Sequence, residues 1–219
     1  MNLDWTVIWD HRGAFVAGVV NTVLLTVLTM LVSIPGGIAV MLLRVSRWRV
    51  LRAIGLAYVE FFRNIPLILL VYWVFYVLPV MVEVFLPPFA TGLLALSLII
   101  SAYNAETFRA GVNSIRQGQV DAALALGMSY AQVMRIVVLP QAVRRVLPIF
   151  ASTWVSLFKD TSLVSVIAVD ELAYSALQVR AQTFRILEVL TAMAVIYWCL
   201  GYPQAKLVDW LHRKFGVQE

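Results

Sequence analysis

Lys159 and Asp160, followed at once by Thr161 and Ser162, place a cation, a carboxylate and two hydroxyls inside an otherwise apolar run. Side chains of these types in sequence do not point to bond-breaking; they point to binding. The ammonium donates hydrogen bonds, the carboxylate accepts them, and the hydroxyls do both. Read as a straight helix starting near Val146, the run carries this patch about 13 residues, or roughly 20 Å, inward. That is past the middle of a bilayer if the run crosses one. Charge at such depth is costly and normally faces a partner charge, water or the bundle interior. Two roles are open to the patch: lining a path for a polar solute, or forming a structural polar network. Adjacent helical residues diverge by about 100°, so Lys159 and Asp160 are not expected to pair with each other.

Two further polar constellations sit at the margins of apolar runs. Glu106 and Arg109, three residues apart, share one helical face and can pair; the pair either fixes a helix end or borders the same path. Arg63-Asn64-Ile65-Pro66 opens another apolar run, with Pro66 suited to the first turn of a helix. Arg63 can reach lipid headgroups, or it can serve as a gate or as a contact with a partner subunit. No set of residues supports catalysis or metal binding. The phosphate-binding Gly-x-x-x-x-Gly-Lys-Ser/Thr loop is absent, as are HExxH and CxxC. The two histidines, His11 and His212, lie near opposite ends, and one cysteine, Cys199, excludes a disulfide within the chain.

The elements that must hold these residues follow from composition. The chain is 62% hydrophobic and 13% charged, against about 25% charge in a soluble globule. Lipid is the solvent that suits so much apolar surface. Five apolar segments are legible, at about Ala14–Leu43, Pro66–Val82, Phe89–Ala105, Val146–Val169 and Val189–Ala205. Pro35-Gly36-Gly37 predicts a bend in the first. Backbone groups in hydrocarbon must bond within their own segment, and barrel-like alternation is absent, so all five are read as helices. The formal net charge of +5 does not indicate nucleic acid, because the basic residues cluster beside apolar runs. Arg44, Arg47, Arg49 and Arg52 follow the first segment; Arg109, Arg116, Arg135, Arg144 and Arg145 follow the third; Lys206, Arg213 and Lys214 follow the fifth. The positive-inside rule places these connections in the cytoplasm, the N-terminus outside and the C-terminus inside.

The connection at about residues 115–140 carries helix punctuation. Asp121 is expected in a first turn, where a carboxylate suits the helix dipole, followed by the helix formers Ala122 to Leu126. Gly127 is placed to end that helix. Ser129 and Gln132 form a capping box for a second, and Pro140 ends or bends it. By local pattern this is either an amphipathic surface helix or a docking surface.

Asp121-Ala122-Ala123, then Gly127, Val137 and Leu139-Pro140, resembles the EAA loop of ATP-binding-cassette importer permeases. Asp stands where that pattern has Glu, and Val137 where it has Ile; both keep the chemistry. Glu60-Phe61-Phe62-Arg63-Asn64-Ile65-Pro66, Tyr103-Asn104-Ala105-Glu106-Thr107-Phe108-Arg109-Ala110-Gly111 and Lys159-Asp160-Thr161-Ser162-Leu163 resemble permeases of the polar amino-acid uptake family, of histidine, glutamine and glutamate type. These segments run from the second crossing through the fourth.

The resemblance implies an all-α, five-helix type I importer permease, one transmembrane domain over residues 1–219, in the bacterial inner membrane. Its coupling residues would be Asp121, Ala122, Ala123, Gly127, Met128, Ser129, Leu139 and Pro140. Small Ala122 and Ala123 would let another surface approach. The partners implied are a cytoplasmic ATPase dimer that binds ATP and magnesium, a second permease subunit, homo- or heteromeric, and a periplasmic solute-binding protein. The substrate implied is a polar amino acid, whose carboxylate and ammonium group match the donors and acceptors at Lys159 to Ser162. No cofactor in this chain and no nucleic-acid partner are expected. Rival readings are an ion-gradient-driven transporter, which often shows paired repeats not seen here, and a non-transporting assembly subunit, which needs no polar groups in its interior.

Overall fold

The computed structural model describes residues 3–215. Every regular element among them is helical: α1 (Thr6–Asp10), α2 (Arg12–Arg44), α3 (Arg49–Asn64), α4 (Leu67–Tyr72), a π segment (Trp73–Val77), α5 (Leu78–Val82) and α6 (Pro88–Asn113). There follow α7 (Gln117–Ala125), α8 (Tyr130–Gln132), a second π segment (Val133–Val138), α9 (Leu139–Asp160), a 3-10 segment (Thr161–Ile167), α10 (Leu172–Thr183) and α11 (Ile186–Phe215).

Three of these helices, α2, α6 and α11, are long and apolar enough to cross a membrane. The second expected crossing is a broken element. Leu67–Val82 is shorter than the ~20 residues a crossing needs, and α3, which the hydropathy reading left as a connection, meets it at a bend of 108°. The fourth differs more. Its helix starts at Leu139, seven residues before the expected Val146, carries Arg144 and Arg145 in its first half, and stops at Asp160. Lys159 and Asp160 therefore end a helix rather than interrupt one; a 3-10 segment and a left-handed Ala168 (φ 59°) take over the chain direction.

The centre of the bundle is the pairing of α2 with α6. Without a hydrophobic force between helices in lipid, close packing must come from small residues that let backbones approach. Thr22, Thr26, Thr29, Ser33 and Gly37 recur at helical spacing along α2 and are buried. Facing them, α6 buries Ser97, Ser101, Asn104 and Ala105. A Cβ on Gly37 would lie 2.6 Å from the Asn104 Cβ and 3.1 Å from the Ala105 nitrogen. At Pro35-Gly36-Gly37, where the sequence predicts a bend, α2 remains helical through Pro35. Gly36 and Gly37 form a notch that admits α6. Around this contact an apolar core gathers Leu25, Met30, Leu70, Val71, Leu96, Ile99, Leu157 and Val164 from α2, α4, α6, α9 and the 3-10 segment. Thr29 Oγ1, Ser97 Oγ and Asn104 Oδ1 are buried without a hydrogen-bond partner among the described residues, so the contact is polar in excess of what its own bonds use.

A network at the other side of α2 ties the late helices to it. Glu171 is fully buried and caps α10, accepting from the amides of Ala173 at 2.9 Å and Tyr174 at 2.7 Å, and from the Tyr197 hydroxyl of α11 at 2.8 Å. The Leu172 amide donates to Thr22 Oγ1 at 3.1 Å. At the N-terminal end, the Thr6 hydroxyl and amide, with Arg185 beyond them, hold the Asp4 carboxyl below its usual range, and the Asp4 amide donates to Glu188 at 3.0 Å.

Gly37→Val should lower the unfolding temperature of the purified protein clearly, at an overpacking cost of about 1–3 kcal/mol, because the obstruction is Asn104 and the α6 backbone rather than a flexible side-chain tip. Gly118→Ala, with nothing within 4 Å of the new atom, should leave it in place. Equal melting of the two variants would refute the notch.

Candidate functional site

The segment joining α6 to α9 folds as a small unit with its own core. Ile115, Ala123, Val133 and Val138 are buried together, with Val112, Val120, Met128 and Met134 against them. α7 ends in a Schellman motif: Met128 N–H donates to the Ala123 carbonyl at 3.2 Å and Gly127 N–H to that of Leu124 at 2.9 Å. The turn needs a left-handed residue, and Gly127 supplies it at φ 82°. The expected capping box forms, with the Ser129 amide donating to Gln132 Oε1 at 2.8 Å and the Gln132 amide to Ser129 Oγ at 3.4 Å. Pro140 is the second residue of α9, which follows the second π segment without a break, so the expected helix end does not occur there.

Two details differ from the sequence reading. α7 begins at Gln117, so Asp121 lies beyond its first turn and accepts instead from the Gln117 side chain at 3.0 Å. Ala123 is 6% exposed and belongs to the unit's own core, not to an open surface. Ala122, Ser129 and Pro140 are exposed and Met128 is half-buried. Of the apolar side chains that project furthest, Leu126 at 83% exposure, Tyr130 at 66%, Ile136 at 62% and Leu124 at 42% were not singled out by sequence, whereas Leu139, also at 42%, was. A helix former outside the apolar periodicity was the available signal. Leu126 occupies the C-cap and Tyr130 opens the next helix, so the turn that hides Gly127's neighbours in the core pushes these two outward.

At the α6 end nearest this unit, Glu106 binds two arginines. Arg109 Nη2 donates to Oε2 at 2.7 Å and Nε to the two oxygens at 3.3 and 3.2 Å. Arg44, the last residue of α2, pairs with Oε1 from the other side. The pair expected along one helix is thus a three-residue clamp between two helices. The guanidinium of Arg63 lies 5.4 Å from the centre of the Tyr103 ring. Asn64 Nδ2 donates to the Glu60 carbonyl at 2.6 Å, and Pro66 is the N-cap of α4 rather than a first-turn residue.

Lys159 and Asp160 face different spaces. Asp160 lines a concavity of about 410 Å³ between α4, α6 and α9, together with Ser152, Thr153, Ser156 and Tyr103 and a wall of Ile and Leu side chains. Lys159 lines another, of about 400 Å³, between α9 and α11 with Ser162, Tyr197, Trp198 and Tyr202. Thr161 is buried and donates to the Phe158 carbonyl at 2.8 Å; Ser162 donates to that of Lys159 at 2.8 Å. The four residues are not one patch, because α9 ends there and successive side chains leave its terminus in divergent directions. The Asp160 concavity can accept hydrogen bonds from an ammonium group and exchange hydroxyl bonds with a carboxylate.

Comparison with known proteins agrees with this geometry. Residues 33–217 match the family described as binding-protein-dependent transport system inner membrane component. The chain is 33% identical over 212 residues to the probable glutamine ABC transporter permease protein GlnM of Bacillus subtilis, covering 97% of this chain and 98% of that one. It is 30% identical over 218 residues to the glutamate/aspartate import permease protein GltK of Escherichia coli, covering 96% and 97%. The structure superposes with a TM-score of 0.92, at 29% identity and over 98% of this chain and 100% of the other, on the crystal structure of an amino acid ABC transporter with histidines. The chain therefore belongs to the binding-protein-dependent inner membrane components, as an amino-acid ABC transporter permease, a membrane transport subunit rather than an enzyme.

Proposed function

We propose that this subunit imports a polar amino acid across a bacterial inner membrane by alternating access, driven by a separate ATPase dimer that binds ATP and magnesium. A periplasmic solute-binding protein delivers the substrate, and a second permease subunit, identical or related, completes the channel. Five crossings within one domain, with the N-terminus outside and the C-terminus inside, agree with the distribution of Arg and Lys. The relatives named for glutamine and glutamate/aspartate, and the solved neighbour with histidines, support a polar amino acid.

One observation carries the coupling half of this reading: a self-contained helical hook whose buried face is spent on its own core and whose apolar tips are left out. Leu126 at 83% exposure is anchored by Gly127 and by the capping box, so it is held rather than waving. An apolar tip on a short helix is what a groove grips. α9 starts at Leu139, where the hook ends, and finishes at Asp160. One continuous helix thus links the gripped end to the concavity that would hold substrate, and displacement of the hook would tilt its α9 wall. Arg63, stacked on Tyr103 at the edge of that concavity, and the clamp of Arg44, Glu106 and Arg109 are placed to act as the cytoplasmic gate.

In vesicles holding the whole transporter, Leu126→Asp should cut substrate-stimulated ATPase activity and uptake by about tenfold or more, in line with loss of an interface anchor worth ~2 kcal/mol. Gly127→Trp should do the same by opening the turn. Wild-type coupling in both variants would sink the proposal. Ala123→Leu should act differently, lowering the melting temperature of the hook itself by overpacking, about 1–3 kcal/mol.

Asp160→Asn should reduce uptake at least tenfold in a correctly assembled complex, since it removes the only carboxylate lining its concavity, while Lys159→Gln should change uptake less than about threefold. The reverse ranking, measured as initial rates of labelled amino-acid uptake, would move the substrate site to the α9–α11 side. Indifference to both would favour a non-transporting assembly subunit.

A further inference from the structure

A further concavity, of about 540 Å³, lies where the ends of α2 and α6 meet α3. Four of its eight lining residues are arginines, Arg44, Arg49, Arg52 and Arg109, and none is acidic. Asn113 and Leu56 complete its rim. Glu106 holds Arg44 and Arg109 in place from behind and neutralises part of their charge. Arg49 and Arg52 make no ion pair among the described residues. Guanidinium groups converging from three helices, half of them braced and half free, form a receptor for a multiply bonded oxyanion: each can give two parallel N–H donors to phosphate oxygens.

The surroundings decide which oxyanion. α3 has three faces. Gly55, Tyr58 and Val59 turn inward, Gly55 against the backbone of Arg44. Arg49, Arg52, Ala53 and Leu56 line the concavity. Val50, Ile54 and Phe61, at spacings of four and seven, form a stripe that is exposed and apolar. Trp48, also exposed, precedes the helix, where an indole suits the membrane interface. A helix with an apolar stripe beside a basic face lies in the boundary between headgroups and acyl chains. Basic concavities between helices at that level suit anionic headgroups. Nothing aromatic lines this one, which disfavours a nucleotide base.

We propose that this concavity is a binding site for the phosphate headgroup of an anionic membrane phospholipid, with its acyl chains along Val50, Ile54 and Phe61. Asn113 precedes the hook by four residues, so the lipid sits at the end of the bundle that carries the hook. It also sits on the back of the Glu106 clamp. The site shares Arg44 and Arg109 with the clamp but does not depend on which substrate is carried.

The test uses the intact transporter complex in mild detergent, titrated with phosphatidylglycerol or phosphatidylcholine and read by native mass spectrometry, so that it is independent of transport. Wild type should retain phosphatidylglycerol about tenfold more strongly than phosphatidylcholine, and Arg49→Gln with Arg52→Gln should lose about tenfold of that binding. Arg47→Gln, outside the concavity, should bind as wild type. Excess inorganic phosphate should not displace the lipid. Undiminished lipid binding in the double variant would overturn the proposal, as would an equal loss in Arg47→Gln, which would mean diffuse surface charge. Displacement by inorganic phosphate would show a free-anion site instead. Release of the ATPase from the double variant with lipid retained would show a protein contact.

Discussion

The close approach of α2 and α6 is the constraint on which the rest depends. In lipid no hydrophobic force drives two apolar helices together, so the contact must be made by shape and by hydrogen bonds. Here shape comes from Gly37, whose absent Cβ leaves room for Asn104. The Asn104 amide donates to Ser33 Oγ at 3.2 Å across the same contact. Because the two helices are parallel in the bundle and in register, their ends arrive together. Arg44 and Glu106 then meet, and Arg109 is drawn into the same clamp. A larger residue at the notch would push those ends apart and unmake the clamp, though it lies two turns away from it.

From that fixed centre the chain builds a mechanical path. α6 leads through Ser114 and Ile115 into the hook, and the Arg145 side chain of α9 donates back to the Ser114 carbonyl. The hook is thus tied at both ends to helices that pack on one another. Its outward residues can be pulled without its core opening, because Schellman turn and capping box satisfy the backbone groups that a free turn would leave to water. The second π segment lies between hook and α9. Such segments keep a helix continuous while shifting the direction of its side chains.

Some of this was legible in the sequence and some was not, for physical reasons. Gly127, Ser129 and Gln132 speak through local backbone rules, and each does what those rules say. Hydropathy located α2, α6 and α11, whose lipid-facing surfaces dominate their composition. It missed α3, because Arg49, Arg52, Glu60 and Arg63 interrupt the apolar residues of an amphipathic helix and lower its mean hydropathy. It set the start of α9 too late, because Arg144 and Arg145 mask a helix that begins outside the apolar zone. Ala123 looked like a surface residue because small size serves both docking and core packing. Glu171 caps α10 through the amides of Ala173 and Tyr174 and is joined there by Tyr197, 26 residues later. No local pattern announces that pairing, and Glu is seldom an N-cap.

The separation of Lys159 from Asp160 has a consequence for how a zwitterion is held. If both charges faced one space they would largely satisfy each other, and a substrate would have to compete with that pair. Turned to opposite sides of the α9 terminus, each is left to interact with what enters its own concavity. In the proposed substrate site, Asp160 would meet an ammonium group with hydroxyls from Ser152, Thr153 and Ser156 nearby. These are neutral donors, weaker than a guanidinium, so the carboxylate end of such a substrate would be held lightly. A carrier needs that imbalance: a site charged at both ends would bind firmly and release slowly, whereas one fixed charge orients the molecule and lets movement of α9 loosen it. The hydroxyls sit one to two turns before Asp160 on the same helix, so any tilt of α9 displaces both halves of the site together.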